Sequence, residues 1–464
     1  MSHDTITIDD GAIARAIANA ATPSESQIAE IIAKGRTLNG LSREDVAVLL
    51  NVHAPEHLSQ LFEAARYVKE TIYGKRLVIF SPLYISNLCQ NECTYCAFRV
   101  RNKSIARRAL TQPEIESEVQ ELLRQGHKRI LLVAGESYPK QGFQYVLDAI
   151  HTIYEARADG ANIRRVNVNV APLSVEEFKN LAQAKIGTYQ LFQETYHRDT
   201  YKSVHIRGQK ADYDYRLSAI DRAMTAGIED VGIGVLFGLS DYRYEILAML
   251  AHIQHLEERF GVGPHTISVP RLEPASGSEI ATHPPQPVSD LDFQKIVAIL
   301  RLAVPYTGII MSTRETAHIR RETFALGVSQ ISAGSRTTPG GYANDSPEEV
   351  GAQFSLGDHR SLDEVIRDVA SLGYIPSFCT GCYRLGRVGQ DFMDLARPGD
   401  IKHHCDPNAF STFLEYLLDY AGDTTRQQGL ESIEKSLATL EPEPRRISER
   451  LMEQVRQGKR DVFC

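Results

Sequence analysis

The sequence has no surplus of positive charge: its formal net charge is −8 and its pI is near 6. Without a basic field, neither a nucleic-acid backbone nor an anionic lipid surface is an expected partner, and a small molecule is. There is no apolar run near the roughly 18 residues that a membrane span requires. The start, "MSHDTITIDDG", is acidic where a secretory signal is basic and then greasy, so a cytoplasmic location is expected. Cysteine is scarce, seven in 464 residues and an odd number. Six fall into two triplets, and the last, Cys464, reads as an exposed, unused thiol. That distribution suits reduced thiols holding metal better than a disulfide framework. Fixed-period repeats and low-complexity tracts are also lacking.

What is present is apolar patterning: at 42% hydrophobic residues the chain can bury a large core, and its length suits two or three domains. Residues 1–75 read as a helical lead-in. Its segments "GAIARAIANAA", "SESQIAEIIAKG", "REDVAVLL" and "PEHLSQLFEAARYVKETIYG" carry apolar residues at three- and four-residue spacing. Over 76–341 short β-branched runs alternate with amphipathic helices. Eight runs count as strands: "RLVIFSPLYIS", "RILLVAGE", "RVNVNVAP", "TYQLFQET", "DVGIGVLFGL", "TISVPRLEP", "GIIMSTRE" and "QISAGSRT". Helix starts between them are marked by Thr111 with Pro113 and Glu114, by Ser174 with Glu176 and Glu177, and by Ser289. The expected fold class is α/β, a (β/α)8 TIM-type barrel, with an open doubly wound sheet as the rival. After Gly341, "YANDSPEEVGAQFSLGDHRS" reads as a linker. The region 342–464 reads as a mostly helical C-terminal domain whose end, from Asp423, is a charged and solvated face.

The stretch "SNLCQNECTYCAF" places Cys89, Cys93 and Cys96 after the first strand, on the rim where such barrels carry their chemistry. A structural zinc site closes with four ligands, and no fourth cysteine or histidine lies near in sequence. A cubane iron–sulfur cluster on three thiolates leaves one iron open to a substrate or cofactor. This C-x3-C-x2-C loop, with Tyr95 before the last cysteine, resembles that of the radical S-adenosylmethionine (SAM) superfamily. The resemblance implies a 4Fe-4S cluster that binds SAM through its open iron, a low-potential electron donor, and cleavage of SAM to the 5′-deoxyadenosyl radical. It also implies cofactor contacts from Tyr95 and Phe98, from Gly135 and Glu136 in "VAGE", from Glu194 in "LFQETYH", and from Arg216. Arg216 would place its guanidinium fork on the SAM carboxylate. Ala134 departs from the superfamily, which has a first glycine there.

Cys379, Cys382 and Cys405 have the spacing C-x2-C-x22-C. On spacing alone zinc competes with an iron–sulfur cluster, because His403 and His404 adjoin the last cysteine. The segments "GTYQLFQETYHRDTY", "DVGIGVLFGLSDYR", "GPHTISVPRLEPASGS" and "QISAGSRTTPGGY" resemble the tyrosine-cleaving radical SAM lyases. The C-terminal spacing resembles their branch that matures the FeFe hydrogenase. This resemblance implies cleavage of the Cα–Cβ bond of L-tyrosine to p-cresol and dehydroglycine. It further implies conversion of dehydroglycine to carbon monoxide and cyanide on an additional iron, held with a free cysteine at a second iron–sulfur cluster, and transient partners in hydrogenase maturation. His265, just before the sixth strand, is then the expected ligand of that iron, against the ordinary reading of a rim histidine as structural. Arg314, Ser335 and Arg336 end strands seven and eight and are the expected contacts of tyrosine, against charged rim groups that meet only solvent. Two rivals stay open: a tyrosine lyase supplying dehydroglycine for thiamine synthesis, and a non-catalytic iron–sulfur carrier.

Overall fold

The computed structural model describes residues 6–343 and 351–464. Its strands are β1 (Arg76–Ser86), β2 (Arg129–Ala134), β3 (Arg165–Asn169), β4 (Tyr189–Glu194), β5 (Val231–Val235), β6 (Thr266–Ser268), β7 (Gly308–Met311), β8 (Val328–Ser332) and β9 (Ile375–Ser377). Strands β1 to β8 pair in parallel and in chain order, and both β2 and β8 pair with β1, which closes the barrel. The open-sheet rival falls because β1 has no free edge. Its eleven residues are shared out: residues 78–80 face β8 and residues 81–86 face β2. All five residues of β5 are buried, as a strand covered on both faces requires.

Strand β9 is absent from the sequence reading. It is three residues long and contains Pro376, so neither alternation nor propensity announces it. It becomes a strand by pairing with the start of β1, Arg76 opposite Ile375 and Val78 opposite Ser377. Cys379 follows directly, so this pairing hangs the second triplet beneath the barrel.

The four helical segments of the lead-in form as read, α1 (Asp10–Asn19), α2 (Glu25–Gly35), α3 (Arg43–Leu50) and α4 (Pro55–Tyr73), with Ser24 and Ser42 as N-caps. They pack on the barrel: α4 lies on the helix Asp290–Ala303, and α1 and α3 lie on Tyr242–Phe260. The expected starts also hold. Thr111 and Ser174 form capping boxes with Glu114 and Glu177, and Ser289 caps its helix.

The expected linker is corrected for its described part; residues 344–350 lie outside the described residues. Gln353 N–H donates to Thr337 O at 3.0 Å, Ser355 N–H to Pro274 O at 2.8 Å, and Gly357 N–H to Thr313 O at 2.9 Å. The segment is thus bonded across the C-terminal mouth of the barrel. A Cβ on Gly357 would lie 2.2 Å from Arg314 O, so only glycine permits the approach. Polar, turn-rich composition reads alike for a free linker and for a cover bonded to loop backbone.

Beyond it come the helices Leu362–Ser371, Lys402–Asp419, Asp423–Leu437 and Pro442–Arg456. The last buries Leu451, Met452 and Val455, so the charged end is solvated on one side only. Cys464 is likewise corrected: it is half-buried, its N–H donates to Asn408 Oδ1 at 2.8 Å, and its carbonyl accepts from Arg387 at 2.6 Å. No helix among the described residues is long and apolar enough to cross a membrane.

Candidate functional site

Two cavities occupy the two ends of the barrel. The upper one, about 160 Å³, is lined by Cys96, Tyr95, Glu194, Lys210, Arg314 and Gln353 among others. The loop that carries Cys89, Cys93 and Cys96 is zipped to residues 204–207: Thr94 N–H donates to Val204 O and Glu92 N–H to Arg207 O, each at 2.9 Å. Arg107 braces it from within, donating to Asn87 O and Phe98 O at 2.8 Å. Tyr95 Oη is 2.8 Å from His205 Nε2, and Phe98 is buried edge-on to Tyr84. Gly135 makes a close approach, since a Cβ there would stand 2.2 Å from Leu88 O. Its absence lets the end of β2 press on the cysteine loop.

The charged groups form one buried network. Glu136 accepts from Arg216 at 2.9 Å and from Asn91 at 2.7 Å. Lys210 donates to Glu194 at 2.6 Å, and Arg216 is 3.6 Å from Glu194. Burial pushes the Glu136 carboxyl up, but Arg216 and Lys210 outweigh it and hold the group below its usual value. Burial likewise opposes the charge of Arg216, and Glu136 and Glu194 overcome it. Glu194 has a φ of 70°, a left-handed conformation for a side-chain-bearing residue, where the pairing of β4 with β5 slips its register. Such strain persists where surrounding structure imposes it.

The structure brings Cys89, Cys93, Cys96, Tyr95, Glu136, Glu194 and Arg216 together. The fork of Arg216 is engaged with Glu136, Glu194 and Phe192 O, and of this network's two cations Lys210 is the one that lines the cavity. Arg314 also lines it, stacked 3.3 Å over the Phe354 ring. Ser335 and Arg336 follow β8 in a turn where Thr337 forms the cavity wall; Ser335 is buried, and Arg336 N–H donates to Tyr342 Oη at 3.0 Å. Sequence reasoning missed Lys210, Gln353, Phe354 and Glu273. Gln353 donates to Cys96 Sγ at 3.8 Å and accepts from Tyr84 Oη at 2.7 Å. Burial, then Glu315, pushes the Glu273 carboxyl up to about 7. A lysine six positions before Arg216 was the one available signal.

The lower cavity, about 50 Å³, is lined by Cys379, Cys382, Cys405, His265, Arg76 and Arg129 among others. Arg76, Arg129 and Arg165 are the first residues of β1, β2 and β3, so the strand starts themselves supply the positive charge. Arg129 donates to Cys379 O at 2.8 Å, and Arg165 lies 3.0 Å over the Tyr383 ring. The adjacent Cys405, with help from Arg387 and Arg76, draws Cys382 below the ordinary thiol value, while Cys405 is pushed up. His403 and His404 adjoin Cys405 in the chain, yet the histidine in the cavity wall is His265.

Among the described residues no three cysteine, histidine or acidic side chains converge as one metal ion requires. A cubane takes each thiolate on a different iron, and Cys379, Cys382 and Cys405 in the wall of one cavity supply three such donors. The Nε atoms of Arg76 and Arg129, buried and without partners, further fit the lower cavity to an anionic group.

Residues 83–252 match the Radical SAM superfamily and residues 268–375 the Biotin and Thiamin Synthesis associated domain. The chain is 33% identical to 2-iminoacetate synthase of Salmonella typhimurium over 361 residues, 76% of this chain and 92% of that protein. A crystal structure of HydG, a maturase of the FeFe-hydrogenase, superposes with a TM-score of 0.95 at 48% identity, covering 98% of this chain and 99% of that one. HydG from Carboxydothermus hydrogenoformans superposes at 0.84 and 40% identity, over 96% and 98% of the two chains. With such agreement along almost the full length of both chains, the protein belongs to the radical SAM tyrosine-lyase family of 2-iminoacetate synthase and HydG.

Proposed function

We propose that the protein is a radical SAM L-tyrosine lyase. It cleaves the Cα–Cβ bond to give p-cresol and dehydroglycine, and then forms carbon monoxide and cyanide on a cargo iron as a building unit for the FeFe-hydrogenase active site. The observation that carries the second stage is the lower cavity, where a second cysteine triplet shares its walls with His265. A lyase serving thiamine synthesis needs only the upper site. A passive cluster carrier needs neither the buried charge network nor the covered cavity above it.

Cys89, Cys93 and Cys96 would hold the cluster that binds SAM, and Cys379, Cys382 and Cys405 the second one. When bound, the first cluster and SAM supply the 5′-deoxyadenosyl radical. Glu136, held ionised by Arg216 and Lys210, and Glu194, bonded to Lys210, are acceptors for the amine and hydroxyl groups of SAM. Arg314 offers its guanidinium to the tyrosine carboxylate, and Phe354 stacked on it keeps water from that side. Glu273 can hold or release one proton near neutral pH. Below, Arg76 and Arg129 favour the carboxylate of dehydroglycine and the cyanide anion. His265 and a free cysteine would ligate the cargo iron. A low-potential electron donor and hydrogenase-maturation partners complete the reading.

The test is anaerobic reconstitution with iron, sulfide, SAM, reductant and tyrosine, followed by analysis for p-cresol, carbon monoxide and cyanide. All three products are expected. Absence of p-cresol sinks the lyase reading, and p-cresol without carbon monoxide reduces it to the thiamine-type reaction.

A further inference from the structure

The His265 ring is buried beneath the barrel, and its two nitrogens have different neighbours. Nε2 lies 3.4 Å from Tyr383 Oη, and both side chains line the cavity of the second triplet. Nδ1 lies 3.5 Å from Asp230 Oδ1. That separation is too long for a hydrogen bond, and buried Nδ1 has no partner; neither does the other oxygen of Asp230, Oδ2. Buried polar atoms are rarely left unpaired, and here a donor and an acceptor group stand face to face.

The backbone puts them there. Asp230 immediately precedes β5 and His265 immediately precedes β6, and His265 N–H donates to Val231 O at 2.8 Å. Asp230 is fixed from its other side, where Oδ1 accepts from Gly389 N–H at 3.1 Å. Phe392, from the same helix as Gly389, packs its ring 4.4 Å from that of His265.

We propose that Asp230 is the positioning residue for His265: its carboxylate accepts the Nδ1 proton and fixes the neutral tautomer whose Nε2 lone pair faces the cysteine cavity. This rests on the reading above that His265 ligates the cargo iron. A metal-binding histidine characteristically gives its other N–H to a carboxylate, which orients the ring and raises its basicity. Asp230 is the carboxylate in place for this task.

The test uses full-length protein with both clusters reconstituted, titrated with ferrous iron in the presence of L-cysteine, and reads iron bound at equilibrium together with its high-spin resonance signal. Asp230→Ala should weaken binding of this one iron roughly 10- to 100-fold with cluster content unchanged. Asp230→Asn should weaken it less, because its amide oxygen keeps an acceptor for Nδ1–H and for Gly389 but loses the charge. His265→Ala should weaken binding at least as much as Asp230→Ala, and adding Asp230→Asn to it should change nothing further. Parent affinity in both Asp230 variants, with loss in His265→Ala, overturns the role of Asp230 and leaves His265 as the ligand. Additive losses in the double variant overturn it too, since they mark a general structural effect. Parent affinity in His265→Ala removes the ligand reading and the proposal with it. Should Asp230→Ala lose the second cluster, the Asn variant, which retains the Gly389 bond, decides.

Discussion

The two cysteine triplets sit at opposite ends of one barrel in different electrostatic surroundings. Above, burial pushes Cys89 up to about 11, with Glu136 adding to the effect, and burial drives Cys93 well above the ordinary thiol value. Below, the Cys405 thiol together with Arg387 and Arg76 pulls Cys382 down. Glu136 and Glu194 stand near the upper sulfurs because both end barrel strands or follow them, and Lys210 and Arg216 pair with them there. Arginines stand near the lower sulfurs because β1 and β2 begin with Arg76 and Arg129, and Arg387 follows Cys382 by five residues. Identical ligand sets are thus tuned differently: burial holds Cys89 and Cys93 above the ordinary thiol value, whereas Cys382 is drawn below it while Cys379 and Cys405 beside it are pushed up.

The sharpest break in this comparison comes from Cys93→Ala. A cubane left with two protein thiolates loses its oriented open iron, so SAM cleavage and every later product should disappear. Normal formation of 5′-deoxyadenosine by that variant removes the upper triplet from the chemistry.

Cys379→Ser with Cys382→Ser tests the other end. Hydroxyls substitute poorly for thiolates at iron, so p-cresol should form nearly as in the parent while carbon monoxide falls sharply. Carbon monoxide at the parent rate makes the lower triplet a structural feature.

Arg216→Ala attacks the network instead of the cluster. Taking one partner from a buried ion pair costs about 3 to 5 kcal/mol. With Glu136 and Glu194 left to Lys210 alone, SAM affinity should drop by about 100-fold or more, with iron content of both clusters unchanged. Unchanged affinity by equilibrium binding places this arginine outside cofactor recognition.

The mildest effect is a difference in titration. In metal-free protein, alkylation of Cys382 should set in below the ordinary thiol range, whereas Cys89 should react only as pH approaches about 11. The sign follows from the shifts: a lowered value exposes thiolate at neutral pH and a raised one withholds it. Residue-resolved mass spectrometry across pH 6 to 11 reads the two onsets, and coincident onsets erase the contrast.

Much of this was legible in the chain. Eight β-branched runs became eight strands, and the Thr111 and Ser174 helix starts became capping boxes. The lower-rim position of His265 followed from its place just before a strand. Other features were hidden: Lys210 is an unremarkable charge in "RGQKADYDYR", and Gln353 and Phe354 sit in a stretch that looks like a linker. Arg216 was expected to meet the cofactor, and its engagement with both carboxylates was not legible in the chain.

By itself the sequence determined the alternation of strand and helix, the helix caps, and the two cysteine spacings, because periodicity, capping and ligand spacing act within a few residues of each other. The tertiary structure alone decided what meets whom. β9 exists only against β1, the cover of the upper cavity is bonded to loops after three different strands, and Asp230 reaches His265 only because β5 and β6 lie side by side. These contacts join segments tens to hundreds of residues apart, and barrel closure, which no local pattern encodes, brings them within reach.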